Sequence, residues 1–210
     1  MAAHPHSRLT DETSGASFEH VDVLRLAPQR WRNGAGITRE IATAPDGAGG
    51  FDWRLSVAEV GRDAPFSAFP GIDRCIVLLH GSGMQLRADD GTIEHRLDTA
   101  LVPFRFRGDA ALQATLIDGA CSDFNVMVRR GAFAADVCCH RGSAEVPGAA
   151  ALLLLCCAGE WAVAAAAPHT LLPMQAWLSR QPTGPIAVRP VAGGESARLL
   201  QVRLCHDTGS

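Results

Sequence analysis

The chain of 210 residues contains no lysine and no tyrosine, so all 19 of its basic residues are arginine. Without lysine it can form no Schiff base, hold no pyridoxal phosphate covalently and build no phosphate loop of the lysine-containing kind. Without tyrosine it has no phenolic acid for proton transfer. These absences exclude several classes of enzyme before any motif is considered.

Helical periodicity is also scarce, and 21 glycines and 12 prolines separate short apolar or alternating runs. Such runs predict strands rather than helices. With 47% apolar residues the chain can build a real core, as one large domain or two small halves. We therefore predict an all-β sandwich or barrel. The clearest predicted strands are Phe51–Val60, Arg74–His80, Met84–Ala88, Leu101–Arg107, Ala111–Ile117, Phe124–Arg129, Leu152–Ala158, Trp161–Ala166 and Leu199–Cys205.

The charge balance indicates neither disorder nor nucleic-acid binding. Charged residues make up 20% of the chain and the net charge is −3, without a basic segment that could follow a phosphate backbone. The apolar run over residues 149–167 is interrupted by Gly159-Glu160-Trp161. A carboxylate near the centre of a bilayer is costly, so this run predicts two buried strands around a turn and no membrane partner.

The seven cysteines suggest a reducing compartment. Their number is odd, and four of them form the vicinal pairs Cys138-Cys139 and Cys156-Cys157. A secreted disulfide framework uses even, separated cysteines, so we predict free thiols in the cytoplasm. Residues 1–18 lack the apolar core of a signal peptide and are expected to form a disordered tail.

The sequence contains an internal repeat. An apolar strand, a glycine turn and a second strand occur in Cys75–Leu86 and again in Leu152–Val163, and each copy precedes a proline-containing strand. Each half then ends in an apolar strand, Gln113–Ile117 or Leu199–Leu204. We predict two small β-barrels, over residues 19–140 and 141–210, although chance similarity between apolar strands explains the pattern equally simply.

Four motifs in the first 130 residues place polar groups beside turns and strands. In WRNGAGITREIA (31–42) a glycine turn precedes a strand, and in FDWRLSVAEV (51–60) Arg54, Ser56 and Ala58 share one strand face. That face either lines a pocket or meets solvent, and alternation alone does not decide between them. PFSAFPGIDR (65–74) predicts a rim loop, whereas SDFNVMVRR (122–130) places Asp123, Asn125 and Met127 on one face.

Metal-binding patterns are missing from the sequence. No His-x-His occurs on any strand, and His80, His95, His140, His169 and His206 are scattered singly. A site with two or three histidine ligands has no local support, so we expect neither a metal nor another cofactor.

Five ordered blocks identify a resemblance to the HutD/Ves family. The blocks are WRNGAGITREIA, FDWRLSVAEV, PFSAFPGIDR followed by a GSG turn, FRFRGD and DFNVMVRR, and they extend from Trp31 to Arg130. The resemblance implies a double-stranded β-barrel of the cupin type, an RmlC-like jelly roll, with two barrels in one chain. It also implies a cytoplasmic bacterial protein of histidine utilisation, or of environmental stress in the Ves branch.

By this resemblance the chain is a metal-free binder of a small carboxylate, such as urocanate or formylglutamate, that limits induction of the pathway. In this hypothesis Arg54 clamps the carboxylate, Ser56 and Ser67 donate hydrogen bonds, and Asp73 with Arg74 holds the rim loop. The ligand-binding residues implied by motif position are Asn33, Arg39, Arg54, Ser56, Phe66, Ser67, Asp73, Arg74 and Asn125.

Two other hypotheses stay open at this stage. One is a cupin-type isomerase or hydrolase of a small acid, with Asp73 or Glu40 as the base and a metal on His80 and His95. The other is a chain whose second barrel serves for association into a homodimer. Elemental analysis tests the first of these, and light scattering tests the second.

Overall fold

The computed structural model describes residues 6–10, 17–164, 169–192 and 194–208. In this part of the chain the structure is all-β, with two short 3-10 helices and no α-helix. No helix there is long and apolar enough to cross a membrane.

The strands of the first half are β1 (His6–Thr10), β2 (Ser17–Asp22), β3 (Gln29–Arg30), β4 (Gly36–Pro45), β5 (Phe51–Val60), β6 (Ala64–Phe66), β7 (Ile72–His80), β8 (Met84–Ala88), β9 (Glu94–Leu97), β10 (Pro103–Arg107), β11 (Leu112–Leu116) and β12 (Cys121–Arg129). The strands of the second half are β13 (Phe133–His140), β14 (Ala144–Val146), β15 (Ala151–Ala158), β16 (Glu160–Ala164), β17 (His169–Leu171), β18 (Gln175–Ser179), β19 (Ile186–Ala192) and β20 (Arg198–His206). The 3-10 helices are Val23–Arg25 and Gly194–Ser196.

The described residues divide into two compact units. The middle unit comprises residues 27–134 with 207–208, and the terminal unit comprises the described residues up to 26 together with those of 135–206. These limits differ from the predicted boundaries at residues 19, 140 and 141. The difference arises because β2 hydrogen-bonds to β18, a long-range pairing that local sequence does not reveal.

The predicted disordered tail is only partly described. Residues 6–10 form β1, which pairs antiparallel with β2. Residues 17 and 18 belong to β2, and the other residues of the predicted tail lie outside the described residues.

The two units share most of their strand arrangement. The middle unit has a six-stranded sheet in the order β10-β7-β12-β5-β4-β3 and a four-stranded sheet in the order β6-β11-β8-β9. The terminal unit has the orders β1-β2-β18-β15-β20-β13 and β14-β19-β16-β17. In the six-stranded sheets β18-β15-β20-β13 corresponds to β10-β7-β12-β5, whereas the two additional strands of each sheet lie at opposite edges. None of these four sheets closes on itself within the described residues. The repeat of strand, glycine turn and strand therefore has a structural counterpart in β7–β8 and β15–β16.

One part of the predicted repeat is wrong. Its last strands were expected at Gln113–Ile117 and Leu199–Leu204, but these positions belong to β11 and β20. The sheet orders match β20 with β12 instead. The sequence alone does not tell whether β11 or β12 corresponds to β20, and the hydrogen-bonded neighbours of these strands decide it.

A backbone feature aligns the two units residue by residue. Leu101 and Met174 are the two non-glycine residues with positive φ in the described part of the chain, at 62° each. The Leu101 amide donates to the Leu78 carbonyl at 2.9 Å, and the Met174 amide donates to the Cys156 carbonyl at 2.8 Å. Leu78 therefore corresponds to Cys156.

The continuous apolar run of the terminal unit forms β15 and β16, as predicted. Six successive residues of β15 are buried, because this strand lies inside its sheet with both faces covered. Gly159 makes the turn with φ of 73°, and a Cβ there would lie 2.6 Å from the Ala192 carbonyl. Glycine is therefore required at this turn.

Candidate functional site

A cavity of about 520 Å³ lies in the middle unit. Its walls combine aromatic and polar side chains with the four arginines Arg30, Arg32, Arg54 and Arg74. No described residue that lines it is acidic, although the chain as a whole is slightly negative. Such a distribution of charge attracts and holds anions.

The face of β5 that the sequence left undecided lines this cavity. Arg54, Ser56 and Ala58 belong to the lining, and Ser56 is buried. Arg54 donates from Nε to Oε2 of Glu40 at 2.7 Å, which orients the guanidinium. Its two terminal nitrogens have no partner among the described residues, so they are available to a ligand.

A buried polar wall bounds the cavity, in which Arg74 and Asn125 line the cavity and Asp123 lies behind them. Arg74 on β7 donates from Nη2 to Oδ1 of Asn125 at 3.0 Å, and Asn125 donates from Nδ2 to Oδ1 of Asp123 at 3.1 Å. Arg74 and Asn125 are 5% and 6% exposed, and Asp123 is fully buried. The Nε of Arg74 and the Oδ2 of Asp123 are buried without a partner in the described part of the chain.

Burial shifts both ionisable groups of this wall toward neutrality. Burial lowers the pKa of Arg74 to about 10. The charge of Asp123 opposes this shift, and the charge of Arg54 adds to it. Burial raises the pKa of Asp123 to about 7, against the effects of Asn125 and Arg74. Two guanidinium groups that repel each other in one cavity favour an anion between them.

Aromatic rings surround the guanidinium of Arg74. Its Cζ lies 5.8, 5.6 and 5.0 Å from the ring centres of Phe66, Phe69 and Phe106. Phe66 also meets Trp31 edge to face, with ring centres 5.6 Å apart. These rings keep Arg74 in place, and those of Trp31, Phe66 and Phe69 give the cavity apolar walls.

The rim of the cavity is formed by two segments. The turn at Asn33 is held by its own side chain, since Oδ1 of Asn33 accepts from the Ala35 amide at 3.0 Å. Strand β3 and the turn that follows it place Arg30, Arg32 and Asn33 in the lining of the cavity, and Ser67 contributes from the other segment.

The predicted rim loop is shorter than expected. Its first residues belong to β6, in which Pro65 pairs with Gln113. Proline is tolerated there because β6 is an edge strand. Asp109, not the expected pair of Asp73 and Arg74, holds the loop, by accepting from the Gly71 amide at 2.9 Å.

The structure brings together most of the predicted binding residues. Those that line the cavity are Asn33, Arg54, Ser56, Phe66, Ser67, Arg74 and Asn125. Arg39 and Asp73 do not line it. Arg39 pairs with Glu59, and Asp73 accepts from Nε of Arg130 at 2.8 Å.

The groups named for the enzyme hypothesis lie elsewhere. Glu40 and Asp73 are both paired with arginine and neither lines the cavity. His95 stacks on Phe104 with ring centres 3.6 Å apart. Within the described residues no group of three or more His, Cys, Asp or Glu is placed to hold a metal ion.

Sequence reasoning did not select Arg30, Arg32, Trp31 or Asp123 as site residues. The first three flank the glycine turn that it did select, so their place in the motif was an available signal. Asp123 shares a strand face with Asn125 and could have been found in the same way.

The terminal unit has different residues at the positions of the polar wall. In the middle unit Asn125 lies opposite Ile76, and in the terminal unit Gln201 lies opposite Leu154. Ile76 lies two residues before Leu78, and Leu154 lies two residues before Cys156, the residue aligned with Leu78. The same pairing matches Arg74, Asp123 and Asn125 with Leu152, Leu199 and Gln201. The buried arginine and the buried acid are therefore replaced by leucine, and the candidate anion site occurs once in this repeated arrangement.

The glycine turn gives a test of how the rim is built. A Cβ at Gly36 would lie 2.5 Å from the Glu59 carbonyl and 3.3 Å from the Trp31 ring. We expect Gly36→Ala to destabilise the protein by about 1–3 kcal/mol in urea unfolding. Gly142→Ala is the control, because nothing lies within 4 Å of its added Cβ. Equal stability of both variants would show that Gly36 is not packed this closely against the Glu59 carbonyl and the Trp31 ring.

The comparisons with known proteins agree with this architecture. The model of the family described as HutD matches residues 24–197. Protein Ves from Citrobacter koseri is 40% identical over 114 residues, which are 54% of this chain and 59% of Ves. The aligned part of the chain thus spans about three fifths of that curated relative.

Solved structures support the same relationship. HutD from Pseudomonas fluorescens, in a formate condition, has a TM-score of 0.79 and 28% identity, and the match covers 90% of this chain and 99% of that one. A cupin 2 conserved barrel domain protein from Leptotrichia buccalis has a TM-score of 0.56 at 8% identity, covering 90% and 96% of the two chains, which shows a cupin-like fold alone. Since the family model spans most of its length, the chain belongs to the HutD/Ves family.

Proposed function

We propose that the chain is a metal-free binding protein that holds a small carboxylate in the cavity of the middle unit and thereby modulates histidine utilisation. The observation that carries the proposal is that the described residues lining this cavity include four arginines and no acidic residue. Guanidinium groups bind carboxylates through paired hydrogen bonds, which gives both affinity and orientation.

Each part of the cavity has a role in this proposal. Arg54 supplies its two terminal nitrogens to the carboxylate, while Glu40 fixes the position of the guanidinium. Arg74 adds a second positive charge from the buried wall, and Ser56 donates a hydrogen bond. The rings of Phe66 and Trp31 pack against the apolar part of the ligand. A few convergent polar groups in an otherwise apolar cavity are typical of small-ligand sites.

The relatives indicate which acids to test. Similarity to HutD points to acids of histidine breakdown, such as urocanate and formylglutamate, and the formate condition of that structure makes formate a suitable minimal probe. Similarity to Ves supports a second candidate, a role in environmental stress with another small acid as ligand.

Further expectations from the sequence belong to the same proposal. We infer that each unit is one cupin barrel, which the matching sheet orders support. The protein acts in the cytoplasm without a cofactor, nucleic acid or membrane partner, and a homodimer is to be tested by light scattering.

A thermal-shift titration tests the function. The acids are urocanate, formylglutamate, histidine, glutamate and formate. A ligand at about 100 times its Kd adds roughly 2.7 kcal/mol, which raises the Tm of a chain of this size by about 5–10 °C. We expect such a shift with one or two of the histidine-pathway acids only. No shift with any of the five would contradict the histidine role and favour the Ves-like alternative.

A further inference from the structure

Asp123 is a buried acid directly behind the candidate anion site. It is 0% exposed, and its Oδ1 accepts from Nδ2 of Asn125 at 3.1 Å. Asn125 uses its own Oδ1 to accept from Arg74, so the amide connects the acid to the guanidinium. The second oxygen of Asp123 has no hydrogen-bond partner in the described part of the chain. An ionised carboxylate in this place depends on Arg74 for charge compensation.

The groups that face Asp123 from the neighbouring strands are few. On β7 they are Arg74 and, at the exposed end of the strand opposite Ser122, His80. On β5 the charged residues are Arg54, whose charge acts on Arg74, and two acids paired with other arginines, Asp52 with Arg129 and Glu59 with Arg39. On β12 itself the neighbour is Cys121, and burial together with the Asp123 charge raises the pKa of this thiol to about 11. The buried residues that the four-stranded sheet contributes to the adjoining core, including Met84, are apolar.

We propose that Asp123 takes up a proton when a carboxylate binds in the cavity, so that anion binding and proton binding are coupled. This inference rests on the proposed function. A bound carboxylate uses the positive charge of Arg74, and the buried Asp123 anion then loses the compensation that Arg74 provides. The neutral acid becomes the favoured form, and the proton comes from the solvent buffer.

The direction of the pH dependence follows from this coupling. Burial already raises the pKa of Asp123 to about 7, and a bound anion raises it further. Below about pH 6 the acid is neutral with or without ligand, so affinity does not change. Above about pH 7 binding requires proton uptake, and affinity falls by up to tenfold per pH unit. No described residue that lines the cavity is His, Cys, Asp or Glu, so the lining itself does not titrate between pH 6 and 8.5.

Isothermal titration calorimetry with formylglutamate tests the coupling. The titration is run at pH 7.5 in buffers of different ionisation enthalpy, which gives the number of protons exchanged per ligand bound. For the natural sequence we expect uptake of about half a proton or more. Asp123→Asn retains the acceptor for Asn125 but cannot be protonated, so we expect binding without proton uptake. His80→Gln is the control and should retain the uptake of the natural sequence.

Each outcome separates the coupling from the function. Binding without proton exchange in the natural sequence, or unchanged uptake in Asp123→Asn, overturns the coupling and leaves the proposed function intact. Failure of the natural sequence to bind any of the five acids of the thermal-shift titration overturns both. If Asp123→Asn does not fold, the coupling is tested by an NMR pH titration of the Asp123 γ-carbon in the natural protein. A titration midpoint that does not move to higher pH with saturating formylglutamate then overturns the coupling.

Discussion

Replacement of Arg74 by leucine is expected to destabilise the protein by about 3–5 kcal/mol at pH 8.5 and to abolish anion binding. Removing one partner of a buried charged pair leaves the other charge without compensation. Here the remaining charge is Asp123, which is fully buried and whose side chain accepts a hydrogen bond from Asn125. Urea unfolding at two pH values measures the stability.

The loss of stability in Arg74→Leu should depend on pH. In the natural protein the pKa of Asp123 is raised to about 7. The cost of burying this carboxylate, as a loss in the free energy of unfolding, therefore grows as the pH rises from the ordinary pKa of an aspartate to pH 7, and it is constant above pH 7. Without Arg74 the pKa of Asp123 rises further, and the cost continues to grow above pH 7, by up to about 1.4 kcal/mol per pH unit. The difference between the two proteins is therefore larger at pH 8.5 than at pH 6.

A double variant makes the test specific to the buried pair. The terminal unit carries Leu152 and Leu199 at the positions that correspond to Arg74 and Asp123. Arg74→Leu/Asp123→Leu should therefore recover most of the stability lost in Arg74→Leu, but not the binding. Arg87→Leu, which breaks an exposed pair with Glu94, is the control and should cost no more than about 1 kcal/mol. A double variant as unstable as Arg74→Leu would show that packing, not charge, determines the loss.

Replacement of Arg54 by methionine is expected to weaken carboxylate binding at least tenfold, or by about 1.4 kcal/mol, with little change in stability. Methionine retains the length of the side chain but removes the two terminal nitrogens that face the cavity. Calorimetry with the acid that gives the largest thermal shift measures the affinity. Arg39→Met is the matched control on the neighbouring strand, because Arg39 pairs with Glu59 and does not line the cavity. A loss of less than tenfold in Arg54→Met would remove Arg54 from the site.

Local patterns predicted much of the fold. Alternation and turn residues located β5 and β8 with their observed bounds, and they identified the two buried strands of the run around Gly159. The pairing of β2 with β18 was not predictable, because it joins residues more than 150 positions apart whose sequences do not specify each other. For the same reason β11 was taken as the counterpart of β20.

The site shows a similar division between local and long-range information. Alternation placed Arg54 and Ser56 on one face of β5, but whether that face is covered depends on strands far away in the sequence. In β7 the adjacent residues Asp73 and Arg74 point to opposite faces, so they could not form the pair that was expected. Asp73 is instead bound by Arg130, and Arg74 is directed into the cavity. Motif position indicated the region of the site, and the sheet determined which side chains reach it.

The central claim is that a carboxylate binds between Arg54 and Arg74 in the cavity of the middle unit. A crystal structure of the protein with the acid that gives the largest thermal shift tests this claim most directly. We expect one acid per chain, with its carboxylate oxygens within hydrogen-bonding distance, about 2.7–2.9 Å, of both guanidinium groups. An acid bound elsewhere on the chain, or a cavity without the acid at a saturating concentration, would contradict it.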